Sequence, residues 1–418
     1  MLRILFPRSL SQWLGPLVAV AIVALIIAVA VGSSGILNLR ASTPHPQGWA
    51  DILHGVFKRS VAFHADPKAV PADLDSPSMV EKGATYYATA CGHCHGAPGV
   101  GQSPVALMMM PQPQYLPQVA KESTPAQLAY IVQHGVKYSG MPAWPAQSRP
   151  DEVWPVVAFL RAMPRLGYAK FDALANGGAG SGLTKAGIAP FAPPEKLRPF
   201  SLYAPIQNSN SETVYIEPTY GFDSQASVRD PIANCARCHG ADGRGRPGGR
   251  FPNLTLQTPT YLYDALMSFA HGTRKSAYMQ VVATQLSDAQ LASLARYYGA
   301  MAAAASPQAT PDAAMKAEGA HVAAYGIGQK GVGGCTNCHG AEGSARGIPR
   351  LEGQSYYYLV DQMRAFRAGG RGVTHGVNPM RAIAHNLNDH QIAAVSAFYA
   401  ATPPTAKPVE AARQAAAR

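Results

Sequence analysis

Cys335-Thr-Asn-Cys-His339 has two copies upstream, Cys91-Gly-His-Cys-His95 and Cys235-Ala-Arg-Cys-His239. Together the three use all six cysteines of the 418-residue chain. The spacing carries a chemistry. Two thiols three residues apart sit on one helical turn, where each can form a thioether with a haem vinyl group. The adjacent histidine then lies beneath the macrocycle and offers the iron its proximal nitrogen. Other readings of Cys-x-x-Cys fit less well. A structural zinc takes four N/S ligands, so each knuckle here would have to borrow a distant one, with a histidine beside it three times by accident. A thioredoxin-like redox pair belongs in a βαβ setting, and none is visible. The sequence therefore predicts three covalent haem c groups, at Cys91/Cys94, Cys235/Cys238 and Cys335/Cys338, with His95, His239 and His339 on iron.

Three attachment motifs in a chain of this length imply three domains. Haem c is attached outside the bacterial inner membrane, which predicts a periplasmic location. The formal charge is +11, and three haems would bring six propionates, leaving a holoprotein near about +5. No Lys/Arg block with interleaved aromatics occurs, so nucleic acid is not an expected partner. Acidic protein partners and anionic lipid are.

Taken in order, residues 1–40 hold an apolar run, 14–31, that is 18 residues long and uncharged. At 1.5 Å per residue it reaches about 27 Å, close to a bilayer core of roughly 30 Å. Arg3 and Arg8 precede it, which predicts a cytoplasmic N-terminus. A cleaved signal peptide is the rival reading, but its apolar core is shorter. Residues 41–75 carry prolines and no clear period, and read as a linker. Trp49 and Phe57 in it would either sit at the membrane interface or pack against domain 1. That domain is expected over 76–170. It has a helix over 80–90 that presents Ala84, Tyr87 and Ala88 on one face, a second over 125–133 stopped by His134-Gly135, and a last one capped by Asp151. In that last helix Val153, Val156, Val157 and Leu160 recur at helical spacing.

Residues 171–212 are rich in Gly, Ala and Pro and read as a second linker. Cys91 and Cys235 lie 144 residues apart, Cys235 and Cys335 only 100, so domains 2 (213–303) and 3 (304–402) should pack as one unit. Domain 1, between two linkers, is expected to be mobile and to shuttle electrons, the alternative being that all three domains are clamped in a larger complex. Domains 2 and 3 repeat one another. Tyr261-Leu-Tyr-Asp264 answers Tyr358-Leu-Val-Asp361, and the stretch from Met279 to Asp288 answers that from Met380 to Asp389. The closing helices carry Leu291/Leu294/Tyr298 and Ile392/Val395/Tyr399. Residues 201–231 have no clean pattern, and 403–418 read as a flexible tail.

The sixth iron position decides between electron transfer and small-molecule chemistry. Each domain offers one methionine 40 to 46 residues after its haem histidine: Met141, Met279 and Met380. Met108, Met109 and Met110 follow His95 too closely to cross a ring, and read as apolar surface at the haem edge. His134 and His271 fall at helix ends before glycine and read as caps, while His93 points away.

These residues resemble the class I c-type cytochromes: a helix into Cys-x-x-Cys-His, a methionine loop, then a closing helix with aromatics. Asn378-Pro-Met380 and 384–389 make domains 2 and 3 similar to the diheme cytochromes c4. Gly140-Met-Pro-Ala143 is similar to the methionine loop of single-haem domains. The whole resembles the triheme cytochrome subunits of membrane-bound alcohol, aldehyde and gluconate dehydrogenases, and departs from them in its N-terminal anchor and its c4-like pair. The resemblance implies an all-α protein with one transmembrane helix and three cytochrome c domains. It further implies a carrier of single electrons between a dehydrogenase subunit and a quinone-reactive complex or terminal oxidase, without substrate chemistry of its own. An oxidase-associated carrier is the alternative. A haem enzyme with an open iron is a third reading, disfavoured by a methionine for every haem.

Overall fold

Residues 10–37, 40, 48–99, 101–102, 104–177, 231–284, 286–307, 313–340, 348–372 and 378–405 are described by the computed structural model, and among them no strand forms. The expected linker stretch 178–212, the irregular stretch 201–230 and the tail from 406 lie outside the described residues. The chain divides into two compact units, 1–53 and 54–418. The first holds α1 (Leu10–Ser33), whose segment Trp13–Ser33 is long and apolar enough to cross a membrane.

Residues 41–75, read from the sequence as a linker, contain a helix, α2 (Trp49–His64). In the second unit its Val61 is buried and its His64 ring stacks on Tyr130, with centroids 5.6 Å apart. Phe57 is half-buried and Trp49 exposed.

Domain 1 is built on α3 (Pro77–Ala90), α4 (Pro125–His134), α5 (Val153–Ala162) and α6 (Tyr168–Asn176). Ser76 caps α3 and Pro77 opens it, where the missing N–H costs nothing. Ala84, Tyr87 and Ala88 are buried, as are Val153, Val156, Val157 and Leu160 on α5. The two faces meet at Gly83, where an added Cβ would lie 1.7 Å from the Pro155 carbonyl oxygen. Only a glycine lets α3 and α5 approach so closely. Asp151 does not cap α5. It lies in a 3-10 turn, Pro150–Glu152, and both carboxylate oxygens accept from buried Arg149. A buried guanidinium costs more to leave unanswered than an N-terminal N–H, so the carboxylate goes there. Helix α6 carries buried Phe171 and Ala175 past residue 170, where the sequence suggests a linker.

The described part of domain 2 has α7 (Pro231–His239), α8 (Pro259–Ala270), α9 (Met279–Thr284) and α10 (Asp288–Ala300). Domain 3 has α11 (Ala313–Tyr325), α12 (Tyr356–Arg367), α13 (Pro379–Asn386) and α14 (Asp389–Ala401). The repeat is visible in the helix starts. Thr258 caps α8 and Ser355 caps α12, and full capping boxes open α10 (Ser287/Gln290) and α14 (Asn388/Gln391). Gly319 of α11 lies on the Ala394 carbonyl of α14, as Gly83 lies on α5.

Domains 2 and 3 join through a reciprocal pair of glutamines. Gln257 accepts from Arg350 N–H (3.0 Å) and donates to the Arg350 carbonyl (2.8 Å). Gln354 does the same with Asn253, at 2.9 and 3.0 Å. Each glutamine precedes the cap of its helix, so the repeat generates a two-fold contact in which both sides satisfy buried backbone groups.

The structure corrects the expectation that domain 1 is free to move. Arg246 donates to Thr85 Oγ1 (2.8 Å) and the Leu174 carbonyl (2.7 Å), and pairs with Glu81 at 3.2 Å. Arg250 donates to Ser78 and pairs with both Asp73 and Asp361, and Lys82 also reaches Asp361 at 3.5 Å. Tyr86 of domain 1 stacks on Tyr278 of domain 2 at 3.5 Å between centroids, with Trp144 and Phe251 around them. Proline and glycine in flanking segments say nothing of such docking, because the arginines that make it sit in the Gly-rich loop after His239.

Replacing Glu81 by Ala should leave the Arg246 guanidinium buried without its carboxylate and cost about 3–5 kcal/mol of unfolding free energy. Glu81→Leu combined with Arg246→Met should recover most of that loss, since an apolar pair of similar volume replaces a buried ion pair at little cost. Urea unfolding of the three proteins measures both effects.

Candidate functional site

The three attachment motifs close three helical turns. The first follows α3 directly, as a one-turn helix Gly92–His95 whose entry is pinned by Tyr87 Oη donating to the Gly96 carbonyl at 2.6 Å. The second ends α7, and the third is the turn Thr336–His339, held by Thr336 Oγ1 to the Ala323 carbonyl. All six thiols are uncrosslinked in the protein chain. Burial pushes the Cys91 thiol up to about 12 and raises Cys94, Cys238 and Cys335 as well. Cys91 and Cys238 pack against one apolar cluster and Cys335 against another, which places these sulfurs where an apolar ring would be buried.

The three histidines share one geometry. His95 Nδ1 lies 2.8 Å from the Gln114 carbonyl, His239 Nδ1 3.0 Å from that of Pro252, and His339 Nδ1 2.9 Å from that of Pro349. A carbonyl can only accept, so each Nδ1 carries the proton and each Nε2 keeps its lone pair. Burial holds all three imidazoles below their ordinary value, against the pull of the carbonyl bond. A neutral imidazole with a fixed tautomer and a backbone-held ring is the arrangement of a metal-ligating histidine. In domain 1 Gln102 braces it further, donating to the carbonyls of Cys94 (2.9 Å) and Pro113 (2.8 Å).

The candidate sixth ligands fall in corresponding places. Met141 is in the loop between α4 and α5, its N–H bonded to Ser139 Oγ at 3.2 Å. Met279 and Met380 open the short helices α9 and α13, at their first and second positions, rather than lying in open loops. All three are half-buried. Met109 packs its methyl onto Gly140, beside Met141, where a Cβ would lie 1.8 Å from it. His134 ends α4 and His271 caps α8, each followed by a glycine at positive φ, and both are exposed, as is His93.

Haem c fits these residues. Buried donors near the motifs, Trp144 Nε1, Tyr278 Oη and Tyr399 Oη, have no acceptor among the described protein groups, which suits a prosthetic group that brings carboxylates. The Tyr399 hydroxyl is raised by burial and by Cys335. Bound there, haem c would supply a one-electron iron couple. The chain's own part is to hold the ring by two thioethers, offer Nε2, and exclude water with the aromatic and aliphatic walls around it.

Two buried or half-buried arginines follow α8 and α12 in a repeated Gly-x-Arg, at Gly272-Thr-Arg274 and Gly369-Gly-Arg371; the arginines that dock domain 1, Arg246 and Arg250, have no such local signal.

Residues 78–160 match the family model for cytochrome c oxidase, cbb3-type, subunit III, and residues 231–300 and 327–402 match that for cytochrome c. A thiosulfate dehydrogenase electron acceptor of Thiomonas intermedia is 38% identical over 43% of this chain and 83% of its own length. A cytochrome c4 of Pseudomonas aeruginosa is 32% identical over 41% of this chain and 86% of its own. Among solved structures, reduced recombinant cytochrome c4 from Pseudomonas stutzeri is 28% identical, covering 43% of this chain and 98% of that one, with a TM-score of 0.37. A helical chain with haem-binding turns, carbonyl-held histidines and these relatives belongs to the class I c-type cytochromes.

Proposed function

We propose that this chain is a membrane-anchored triheme cytochrome that moves single electrons on the periplasmic face of a bacterial inner membrane. The observation that carries the reading is the threefold repetition of one histidine geometry, each beside its own Cys-x-x-Cys pair. Three covalent haems follow, with His95/Met141, His239/Met279 and His339/Met380 as axial pairs. Thioether sulfur favours ferrous iron and raises the potential, which suits the oxidising end of a respiratory chain. Helix α1 supplies the anchor, and its lipid is the inner membrane.

The electron donor in this reading is a periplasmic dehydrogenase, with a thiosulfate-oxidising enzyme the first to try, since two relatives are named as acceptors for one. Domains 2 and 3 receive the electron and domain 1 delivers it toward a quinone-reactive complex or a terminal oxidase. The match of 78–160 to a subunit of a cbb3-type oxidase favours the oxidase as acceptor. Docked domains make this a relay through the protein. Cys91 and Cys238 pack against one cluster that includes Tyr86, Trp144 and Tyr278, so the first and second haem sites share a wall.

Mass spectrometry of the denatured protein should show three covalently bound haems. Cys335→Ala with Cys338→Ala should show two, and two in the unaltered chain would overturn the triheme reading.

Met380→Ala should remove part of the weak near-infrared methionine-to-iron charge-transfer band of the oxidised protein and lower one haem potential. Met141→Ala should do the same for another haem. If either leaves the band and all potentials unchanged, that ligand assignment is wrong.

In stopped-flow mixing, a thiosulfate-oxidising dehydrogenase with its substrate should reduce all three haems, with rates that fall as salt rises. Reduction no faster than by thiosulfate alone would remove that enzyme as donor and leave other dehydrogenases to be tried by copurification.

A further inference from the structure

Helix α2 (Trp49–His64) carries apolar side chains on two edges, and the protein covers one of them. On the covered edge Val61 is buried, Phe57 is half-buried, and the His64 ring stacks on Tyr130 of domain 1. On the other edge Trp49, Ile52, Leu53, Val56 and Phe63 are all exposed, Val56 by 62% and Phe63 by 85%. Steps of three, four, seven and fourteen residues from Trp49 place these five on one side of the helix. Beyond α1, no other helix among the described residues exposes more than one large apolar side chain. Single exposures of that kind are ordinary, whereas a stripe of five on one helix is an apolar surface left uncovered.

The polar groups match this arrangement. Asp51 and Lys58, seven residues apart, lie on the side of α2 opposite the stripe, and both are exposed. Arg59, also exposed, borders the stripe seven residues after Ile52. Its aliphatic stem suits apolar tails and its guanidinium suits phosphate oxygens. A tryptophan at the start of the helix, apolar side chains along one face and a cation at the border are the pattern of a helix lying in the plane of a bilayer interface. The chain brings a bilayer within reach. The membrane-length segment of α1 ends at Ser33, 15 residues before Trp49. Even fully extended, that connection spans no more than about 55 Å.

We propose that the exposed stripe of α2 is seated in the headgroup region of the inner membrane, in the leaflet that faces the haem domains, as a lateral contact in addition to α1. The inference rests on the reading of α1 as a membrane anchor. It divides the two aromatic residues whose place the sequence leaves open: Trp49 goes to lipid and Phe57 to protein. Because His64 of the same helix stacks on Tyr130, the seated helix holds domain 1 at the bilayer surface, where an acceptor embedded in that membrane would meet it.

The test uses the full-length holoprotein, its haem count verified by mass, in vesicles of phosphatidylethanolamine and phosphatidylglycerol. With thioethers on the six native cysteines, a single introduced cysteine alone takes up a thiol-reactive fluorophore. Val56→Cys and Phe63→Cys place the fluorophore on the stripe, Asp51→Cys and Lys58→Cys on the opposite side. All four positions are exposed, so the fold tolerates the changes. Nitroxide-labelled lipid in the vesicles should quench the fluorophore at 56 and 63 at least about threefold more than at 51 and 58. Equal quenching at the four positions, in protein that the vesicles retain after salt washing, would overturn the seating of α2 and leave the anchor standing. A stripe shielded from an aqueous quencher yet untouched by the nitroxide lipid would also overturn it, and would assign the face to a second copy or another protein. Protein washed from the vesicles by salt would overturn the anchor, and the seating of α2 with it.

Discussion

The bond from the histidine of each Cys-x-x-Cys-His turn to a backbone carbonyl is the constraint on which the rest depends. It fixes the tautomer, frees Nε2 and sets the ring's orientation beside the two thiols. Because the acceptor is main chain, its position has to be held by the fold. The loop that provides it follows the histidine by 19 residues in domain 1, 13 in domain 2 and 10 in domain 3. Domain 1 fills its longer loop with the turn Pro104–Leu107 and with Gln102, which ties the two ends together. The shorter loops of domains 2 and 3 instead run directly into the glutamine contact between them. One local requirement is thus met in two ways, and the way chosen decides which surface is left for docking.

Both docking surfaces place polar groups inside. Gln257 and Gln354 serve buried backbone donors and acceptors that no secondary structure reaches, and Arg246 and Arg250 carry ion pairs across to domain 1. Interiors of this kind contribute little net stability, because desolvation offsets the attraction. What they impose is geometry. A slipped arrangement would strand at least one of these groups without a partner, at a cost of about 1–3 kcal/mol for a neutral one and more for a charge.

Much of this was legible in the sequence, and the failures have physical causes. The haem turns, the helices around them and the repeat were readable because their signals are local: thiol spacing, 3.6-residue periodicity, and caps such as Ser287 and Asn388. The repeat singles out Met279 and Met380 as corresponding candidates, and both fall on first turns of helices. Helix α2 was missed because its buried face is thin, with Val61 its one fully buried residue. Helix α6 was missed because its sequence runs into a Gly-rich stretch. Asp151 was assigned as a cap from its position alone, and the competing guanidinium two residues away took it. The docking of domain 1 was illegible, since Glu81, Asp73 and Asp361 look like ordinary surface acids until the arginines are placed opposite them.

Whether domain 1 could still leave its dock turns on which interactions would be lost. The ion pairs count for little, because on separation both partners regain water. The aromatic wall counts for more. Tyr86, Trp144 and Phe251 are buried and Tyr278 nearly so, and burying such side chains is worth roughly 1.5–3 kcal/mol each. Assigning only half of the lowest figure to the contact between domains leaves about 3 kcal/mol, before any ring-stacking gain of about 0.5–1.5 kcal/mol per pair. At about 1.4 kcal/mol per factor of ten, the open form would then be less than about 1% of the molecules. A shuttle would spend most of its time parked. The docked arrangement is therefore the dominant one, and in it the first and second Cys-x-x-Cys turns rest on one shared cluster.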